Sequence, residues 1–382
     1  MVYYIGYYNC ENIASEARVA SPAAMNKMGY VISVIDDVAE GESMVVSPCE
    51  TRLDRYVKGS VSKIANRVSL KTFASFHSKC KGIRILGHAW TKLQFFLFLF
   101  KHIKSTDTVI VYHSLALMRI VKALKNIKKC HLIIEVEELY SDVTEDAKVR
   151  KKEIQYLQIA DKYIVITELL NKQVNLQNKP RIISHGTYRT VPKYAEKLTD
   201  GKIHLVYAGS FNPIKGGAIS AIEAAAFLDD TYVLHILGKG TPSEEETVIQ
   251  KIAEISQKTK CKVIFEGYKS GKAFDAFIQS CHVGLSTQQP DGKYNASSFP
   301  SKVLMYMSNG LPVVSIRIPA VDTSDVKDCV FYYETPVAKS IADAIMQVPL
   351  HDCGDCFHRL DELHETFAKE LHSFVKSEKA NA

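Results

Sequence analysis

Short apolar runs alternate with helical patterns along the whole chain of 382 residues, and this alternation constrains the fold more than any other feature. The candidate strands are VYYIGYY, YVISVID, TVIVYH, HLIIEVEE, KYIVIT and RIISHG in the first half and KIHLVYAGS, YVLHILGKG, CKVIFEGY, VGLSTQ and LPVVSI in the second. Predicted helices lie between them, for example at 17–28 and 115–129. Strands that alternate with helices form parallel sheets. The sequence therefore predicts an α/β fold.

A polar segment at 190–202 separates the two series of strands and contains Pro192. We place the linker there, which predicts two Rossmann-like domains, at 1–195 and 196–350, that face each other across a cleft. A charged amphipathic helix at 357–376 follows. We expect the tail, 351–382, to pack back on the N-terminal domain.

Composition excludes several classes of protein. The chain is 46% hydrophobic and 24% charged, as folded proteins are, so intrinsic disorder is excluded. The longest apolar run, 95–100, is far shorter than the ~20 residues that span a bilayer. Nine scattered cysteines and an N-terminus without a signal-peptide pattern favour reduced thiols and a cytoplasmic location.

The positive charge of the chain is concentrated in one region. Residues 52–104 contain twelve Lys or Arg and one acid, Asp54, although the net charge of the whole chain is only +6. This region includes the predicted helix 90–104, whose centre is almost entirely apolar. Such a segment is expected either on an anionic membrane surface, as in a peripheral membrane protein, or as a buried helix beside a solvated basic loop. No nucleic-acid recognition motif occurs, so we expect no nucleic-acid partner.

Glycines follow three strands of the second half, where ligands of open α/β sheets bind. In YAGSFNPIKGG, Gly209 and Ser210 end a strand and Lys215 precedes a helix, an arrangement that suits a phosphate. Gly238 and Gly267 end two further strands. Each of these features is also compatible with a simple turn.

The stretch NASSFPSKVLMYMSNGLPVVS places polar residues at the start of a helix. Ser297 and Ser298 are expected to cap this helix, with Pro300 in its first turn. Lys302 would then add a positive charge where backbone N–H groups are exposed, which predicts a second anion site. The alternative is a well-capped helix with no ligand.

These two motifs resemble the donor-binding half of family 4 glycosyltransferases, which have the GT-B fold. The resemblance implies transfer of a sugar from a nucleotide-sugar donor with retention of configuration and without a metal or other cofactor. No Asp-x-Asp motif occurs in the chain, in agreement with that expectation. It also implies donor contacts from eight residues, namely Gly209, Ser210, Lys215, Gly238, Gly267, Ser297, Ser298 and Lys302.

The sequence departs from the family pattern at three positions. Met305 stands where the family has a glutamate that holds the donor ribose, Ser297 stands at the position of the partner acid, and Ser210 replaces an arginine. Lys215 and Lys302 would therefore carry the diphosphate, with serine hydroxyls in place of carboxylates. These departures leave open a catalytically inactive nucleotide-sugar-binding protein, or a nucleotide-sugar epimerase on the same fold.

The first half offers candidates for the acceptor side and for catalysis. The family resemblance implies that the loop of Gly6, Tyr7 and Tyr8 faces the acceptor. His113 ends TVIVYH, and Glu137 and Glu138 end HLIIEVEE; these three are the predicted catalytic residues. Glu135 lies on the same side of its strand as Glu137, because side chains alternate along a strand, and is a candidate buried acid.

The resemblance implies a glycan or lipid-linked acceptor in bacterial capsule, exopolysaccharide or O-antigen synthesis.

The segment HDCGDCFH has the residue types of a zinc site, but its four potential ligands are too closely spaced and lack a second pair. We therefore predict no metal site.

Overall fold

The computed structural model describes residues 1–144, 146–213, 216–290, 297–349 and 354–376. The chain divides into two compact units. Unit 1 comprises residues 1–187 and 366–382, and unit 2 comprises residues 188–365. Each unit contains one main β-sheet with helices, so the predicted α/β class is confirmed.

Unit 1 is built on a largely parallel eight-stranded sheet. Unit 1 has ten strands, which in chain order are β1 (Val2–Ile5), β2 (Ser43–Ser47), β3 (Tyr56–Val57), β4 (Val61–Lys63), β5 (Val68–Thr72), β6 (Ser75–Phe76), β7 (Thr108–Tyr112), β8 (His131–Val136), β9 (Lys162–Val165) and β10 (Arg181–Ile183), within the described residues. The sheet order is β10-β9-β8-β7-β1-β2-β5-β4, with β4 antiparallel, while β3 and β6 form a separate antiparallel pair. The chain extends the sheet in opposite directions from β1, so the topological switch point lies between β1 and β7.

The helices of unit 1 are α1 (Pro22–Val38), α2 (Lys81–His102), α3 (Met118–Lys128), α4 (Tyr140–Thr144), α5 (Ala147–Leu157) and α6 (Glu168–Val174). The prediction of a strand at YVISVID is wrong, because residues 30–36 continue α1. Val31, Val34 and Ile35 are fully buried there, so burial outweighs the weak helix propensity of β-branched residues. The second central strand is instead β2, whose Val46 pairs with Ile5.

Unit 2 is built on a six-stranded parallel sheet. Its strands are β11 (Ile203–Ser210), β12 (Tyr232–Lys239), β13 (Lys262–Gly267), β14 (Val283–Ser286), β15 (Val313–Ile316) and β16 (Val330–Tyr333). Its helices are α7 (Gly217–Ala224), α8 (Pro242–Ser256), α9 (Gly271–Ser280), α10 (Ser301–Ser308), α11 (Pro319–Asp322), α12 (Ala338–Met346) and α13 (Gly354–Val375). The order β13-β12-β11-β14-β15-β16 places the switch point of this sheet between β11 and β14.

The division between the units differs from the predicted domain boundaries. It falls after Thr187 rather than after residue 195, because the following segment is bound to unit 2: the Val191 N–H donates to the Ser308 carbonyl and the Tyr194 N–H to the Gln279 side chain. The tail is not a separate domain either, since α13 is shared between the two units.

The second half of α13 packs on unit 1, as predicted. Phe367 is buried and stacks on Tyr30 with ring centroids 5.4 Å apart. His372 lies 2.9 Å from the Val38 carbonyl at the end of α1. These contacts explain why residues 366–382 belong to unit 1.

Candidate functional site

Lys302 lies directly against the end of β11, at the switch point of the sheet in unit 2. A Cβ on Gly209 would be 2.5 Å from Lys302 Cε and 3.0 Å from its Nζ, so a larger residue would displace the end of this lysine. The Lys302 ammonium also lies 5.4 Å from the centre of the Tyr207 ring. A strand end, a lysine and the start of α10 therefore meet at one point, as the sequence motifs predicted separately.

The buried Tyr306 fixes the position of α10. Its hydroxyl accepts a hydrogen bond from the Ala208 N–H at 2.7 Å and donates one to the Leu285 carbonyl at 3.3 Å. These bonds tie α10 to β11 and β14 on both sides of the switch point. Met305, which precedes it, is half-buried. Tyr306 thus holds Lys302, one helical turn away, in a defined place.

The prediction that serines cap α10 is wrong. The helix begins at Ser301, and its N-cap is Pro300 in an extended conformation with no side-chain cap. Pro300 itself thus offers no side-chain acceptor to the first turn of this helix. Ser297 is buried and Ser298 is half-buried in the preceding loop.

The other predicted donor residues lie at the same edge of the sheet. Gly238 is in register with Gly209, and a Cβ there would overlap the Gly209 carbonyl oxygen. Ser210 is exposed at the end of β11. Gly267 has a φ of +66° and open space around it, which is compatible with the simple turn that the sequence left open. Lys215 lies outside the described residues.

In unit 1, two carboxylates at the end of β8 share a buried cluster with a lysine from α1. The Tyr4 hydroxyl donates to Glu135 Oε2 at 2.5 Å, and Glu135 is fully buried. The Lys27 ammonium is 3.6 Å from Glu137 Oε1 and donates to the Ser184 carbonyl, the Ser184 hydroxyl and the Gly186 carbonyl. Glu138, the next residue, is exposed.

Burial shifts the proton affinity of this cluster. Loss of solvation raises the pKa of Glu135 to about 8, although Lys27 opposes the shift. Burial also raises the pKa of Glu137, against the lowering effect of the same lysine. One lysine therefore faces two carboxyl groups, and Glu135 holds its proton at neutral pH.

We expect this proton to make the stability of unit 1 fall as the pH rises. The pKa of Glu135 is raised on folding, so its contribution is complete below about pH 4.5 and is lost by about pH 8. The free energy of unfolding of unit 1 should fall by at most about 1.4 kcal/mol between pH 6 and pH 7. Urea unfolding followed by the fluorescence of Trp90, the only tryptophan, measures it. The variant Glu135→Gln should show a flatter profile; an unchanged slope would contradict the assignment.

His113 is buried at the end of β7 and engaged with a carboxylate that the sequence analysis missed. Its Nε2 lies 2.7 Å from Glu153 Oε1, and Glu153 also accepts hydrogen bonds from the Tyr140 and Ser141 N–H groups. His113 Nδ1 is buried and has no hydrogen-bond partner among the described residues. This arrangement anchors the start of α4 and favours a structural role over the predicted catalytic one.

The predicted acceptor loop follows β1 at the switch point of unit 1. Gly6 is buried, and a Cβ there would be 2.6 Å from Met28 Sδ of α1. Tyr8 is held by Ser47, whose hydroxyl bonds both its N–H and its carbonyl. Tyr7 lines an open pocket between α2 and residues 50–52. Burial raises the pKa of Tyr7 to about 12, so its hydroxyl remains a donor at neutral pH.

Within the described ranges, no group of three or more His, Cys, Asp or Glu residues is placed to hold a metal ion, and no helix is long and apolar enough to cross a bilayer. Residues 351–353 of the zinc-like segment lie outside those ranges.

Residues 202–349 match the family model described as "Glycosyl transferases group 1". A search of curated proteins finds no match. Among solved structures, the chain is similar to sucrose-phosphate synthase from Thermosynechococcus elongatus, with a TM-score of 0.70 at 13% identity over 97% of both chains.

Two further structures are similar over nearly the whole chain. An α,α-trehalose-phosphate synthase (UDP-forming) from Burkholderia xenovorans, in complex with glucose-6-phosphate, has a TM-score of 0.64 at 10% identity, over 97% of this chain and 99% of that one. A trehalose-6-phosphate protein from E. coli, bound with UDP-2-fluoro glucose, has a TM-score of 0.63 at 10% identity, over 98% and 97%. These likenesses establish the two-domain GT-B fold, and the match to the family model lies within unit 2.

Proposed function

We propose that this protein is a retaining glycosyltransferase that moves a sugar from a nucleotide-sugar donor to a glycan or lipid-linked saccharide. The observation that carries the proposal is the contact of Lys302 with Gly209 at the switch point of the unit that matches the group 1 glycosyl transferase model. Open α/β sheets bind ligands at such points, and a lysine in the first turn of a helix suits a diphosphate, because the helix dipole also favours an anion there. The structural neighbours that bind UDP-2-fluoro glucose or form UDP support the same class of donor.

We expect Lys302→Ala to weaken nucleotide binding at least about tenfold, because a charge-assisted hydrogen bond contributes ~1.5–3 kcal/mol. Titration calorimetry with UDP-, GDP- and dTDP-sugars would first identify the base and then measure the loss. Lys262→Ala, at the start of β13 and therefore at the opposite edge of the sheet, is the matched control and should bind as the wild type does. Equal affinity of Lys302→Ala and the wild type would refute this donor site.

Metal independence and the role of Lys215 belong to the same proposal. With Lys215 and Lys302 as the cations of the donor diphosphate, transfer should need no divalent metal and should persist in EDTA. A strict requirement for magnesium or manganese would contradict this part of the proposal.

Two alternative functions use the same donor site. Met305 and Ser297 stand where the family has acids, which favours either an inactive nucleotide-sugar-binding protein or an epimerase. Nucleotide binding is common to all three functions and does not separate them. Transfer to an acceptor identifies a glycosyltransferase, interconversion of the free nucleotide sugar identifies an epimerase, and binding without either reaction identifies a binding protein.

We further propose a role in bacterial surface-polysaccharide synthesis, at the cytoplasmic face of the membrane. The support is the outer face of α2, where Leu86, Trp90, Leu93 and Leu97 are 46% to 65% exposed. They recur at helical spacing and form one apolar row, opposite the face that buries Phe95 and Leu99. Lys101 is exposed one turn after Leu97 and adds a cation at the end of this row. An apolar row with flanking cations is typical of a helix that lies on an anionic bilayer.

The variant Leu86→Gln/Trp90→Gln is expected to lose most binding to anionic vesicles, at least fivefold in a flotation assay, because it removes the apolar contact. Wild-type binding should fall at high salt, since basic residues contribute only about 1 kcal/mol each and are screened. Leu176→Gln replaces an equally exposed leucine of unit 1 outside α2 and should bind normally. Absence of wild-type binding at low salt would exclude this surface.

A further inference from the structure

The inner flank of α2 lines an open pocket of about 370 Å³ in unit 1. The lining residues are Tyr7, Val19, Glu50, Thr51, Arg52, His77, Arg84, His88 and Lys92. Arg84, His88 and Lys92 are spaced four residues apart and therefore project from one side of the helix. Further along α2, the same side carries the buried Phe95 and Leu99. One face of α2 therefore packs in the core at its C-terminal end and lines the pocket with basic side chains at its N-terminal end.

The pocket has an excess of positive charge that the described residues do not neutralise. Arg52, Arg84 and Lys92 form no ion pair with any described residue, and the one lining acid, Glu50, contacts His88. Three permanent cations facing a single engaged carboxylate repel one another unless an anion joins them. The charge of the pocket therefore indicates an anionic ligand.

The pocket walls are held by main-chain hydrogen bonds. The Val19 N–H donates to the Glu50 carbonyl at 2.9 Å, and the Arg52 N–H donates to the Ala17 carbonyl at 3.0 Å. On the opposite wall, Gly87 of α2 approaches Phe76 so closely that a Cβ there would be 2.5 Å from the Phe76 carbonyl oxygen. This close packing places α2 beside His77. The main-chain positions that carry the cations are thus fixed before any ligand binds, which limits the entropic cost of binding to the ordering of their side chains.

We infer that this pocket binds the phosphate or diphosphate group of the acceptor. The inference rests on the proposed function, because it assigns the acceptor of that reaction to a chemical class. Arginine and lysine are the usual partners of phosphate oxygens, and the volume exceeds that of one phosphate group, which leaves room for part of the attached sugar. Tyr7 connects the pocket to the end of β1, at the switch point of unit 1.

The phosphate that this pocket binds could come from a membrane lipid or from a soluble sugar phosphate. The apolar row of the same helix, Leu86, Trp90, Leu93 and Leu97, is exposed on its outer face. A lipid-linked phosphate would have to reach the pocket around α2 from a bilayer that contacts this row, because the row and the pocket lie on opposite sides of the helix. A soluble sugar phosphate would enter from solvent. Both sources present the same group to Arg84 and Lys92.

The test compares two probes, glucose 6-phosphate in solution and a polyisoprenyl phosphate in phosphatidylcholine vesicles. We expect the wild type to bind at least one of them, and Arg84→Gln and Lys92→Gln each to weaken that binding at least tenfold. Arg84→Lys keeps the charge and should retain most of the affinity. Lys122→Gln removes an exposed lysine of α3 outside the pocket and should bind as the wild type does.

Each result is decisive. Binding of the soluble probe alone identifies a free sugar phosphate, and binding of the vesicle probe alone identifies a lipid-linked one. No binding of either probe, or equal affinity of the wild type and the Arg84→Gln/Lys92→Gln variant, would overturn the inference.

Nucleotide titration of the same proteins separates this inference from the proposed function. Loss of phosphate binding in the pocket variants with intact nucleotide binding supports both. If the pocket variants transfer sugar with an unchanged KM for the acceptor, the pocket does not bind the acceptor, and the proposed glycosyltransferase function is unaffected. If the protein binds phosphate in the pocket but no nucleotide sugar, the proposed nucleotide-sugar donor is wrong, and phosphate binding in the pocket stands.

Discussion

Replacement of Lys27 by methionine is expected to lower the free energy of unfolding of unit 1 by about 3–5 kcal/mol, the usual cost of removing one partner from a buried ion pair. Lys27 is 5% exposed and is the cation nearest to Glu137 in this cluster. Its ammonium also satisfies the carbonyls of Ser184 and Gly186. Methionine fills the volume of the lysine side chain but removes the ammonium from the carboxylate and from the Ser184 carbonyl, while the Gly186 carbonyl keeps the Ser184 hydroxyl as a donor at 3.3 Å.

Urea unfolding monitored through Trp90 measures this loss, because the only tryptophan lies in unit 1. Lys172→Met, on the exposed side of α6, is the control and should change stability by less than about 0.5 kcal/mol. The double variant Lys27→Met/Glu137→Gln should be destabilised by less than the sum of the two single changes, since the unpaired charge is gone. Additive losses would show that Lys27 and Glu137 are not coupled.

The structure of this cluster could not be predicted from the sequence. Lys27 lies within a helical pattern, where a lysine is normally solvated. Its hydrogen-bond partner Ser184 is 157 positions away in the chain. The two meet because of how α1 packs in unit 1, and local patterns do not encode that packing. By contrast, the strand alternation alone indicated that Glu135 and Glu137 point to one side of β8, and both carboxylates interact with Lys27.

The fold was largely predictable because most strands are short apolar runs that end in polar residues or glycine. The error at YVISVID has a physical cause: a helix that is buried on most sides has the same composition as a buried strand, and its length of 17 residues becomes apparent only with the part that precedes it. β2 was missed because only three apolar residues stand between the two serines of its SMVVS sequence, which gives a weaker run than the four apolar or aromatic residues of β1. In unit 2, the approach of Lys302 to Gly209 follows from two motifs that parallel topology brings together. The role of Tyr306 was hidden, since an aromatic residue in an apolar helix gives no sign of a hydrogen bond to a neighbouring strand.

Glu137 and Glu138 are neighbours at the end of β8, but their surroundings differ, and this difference bears on catalysis. Glu137 is restrained by Lys27, which suits a group that holds an acceptor hydroxyl in one orientation. Glu138 is exposed at the exit of β8, where it is accessible to a substrate. We expect at least one of the variants Glu137→Gln and Glu138→Gln to lose transfer activity by about 10²-fold or more, because orientation and proton acceptance each contribute at this level.

Nucleotide affinity is expected to stay nearly unchanged in both variants, because the proposed donor site lies in unit 2. Transfer rate and nucleotide affinity should therefore be measured on the same preparations. Glu168→Gln provides a control, since Glu168 is an exposed carboxylate of unit 1 that pairs with Arg181 away from β8. A drop in kcat without a change in nucleotide binding separates acceptor positioning from a general loss of structure. Full activity in both variants would mean that neither carboxylate takes part in transfer and that the catalytic group must be sought elsewhere.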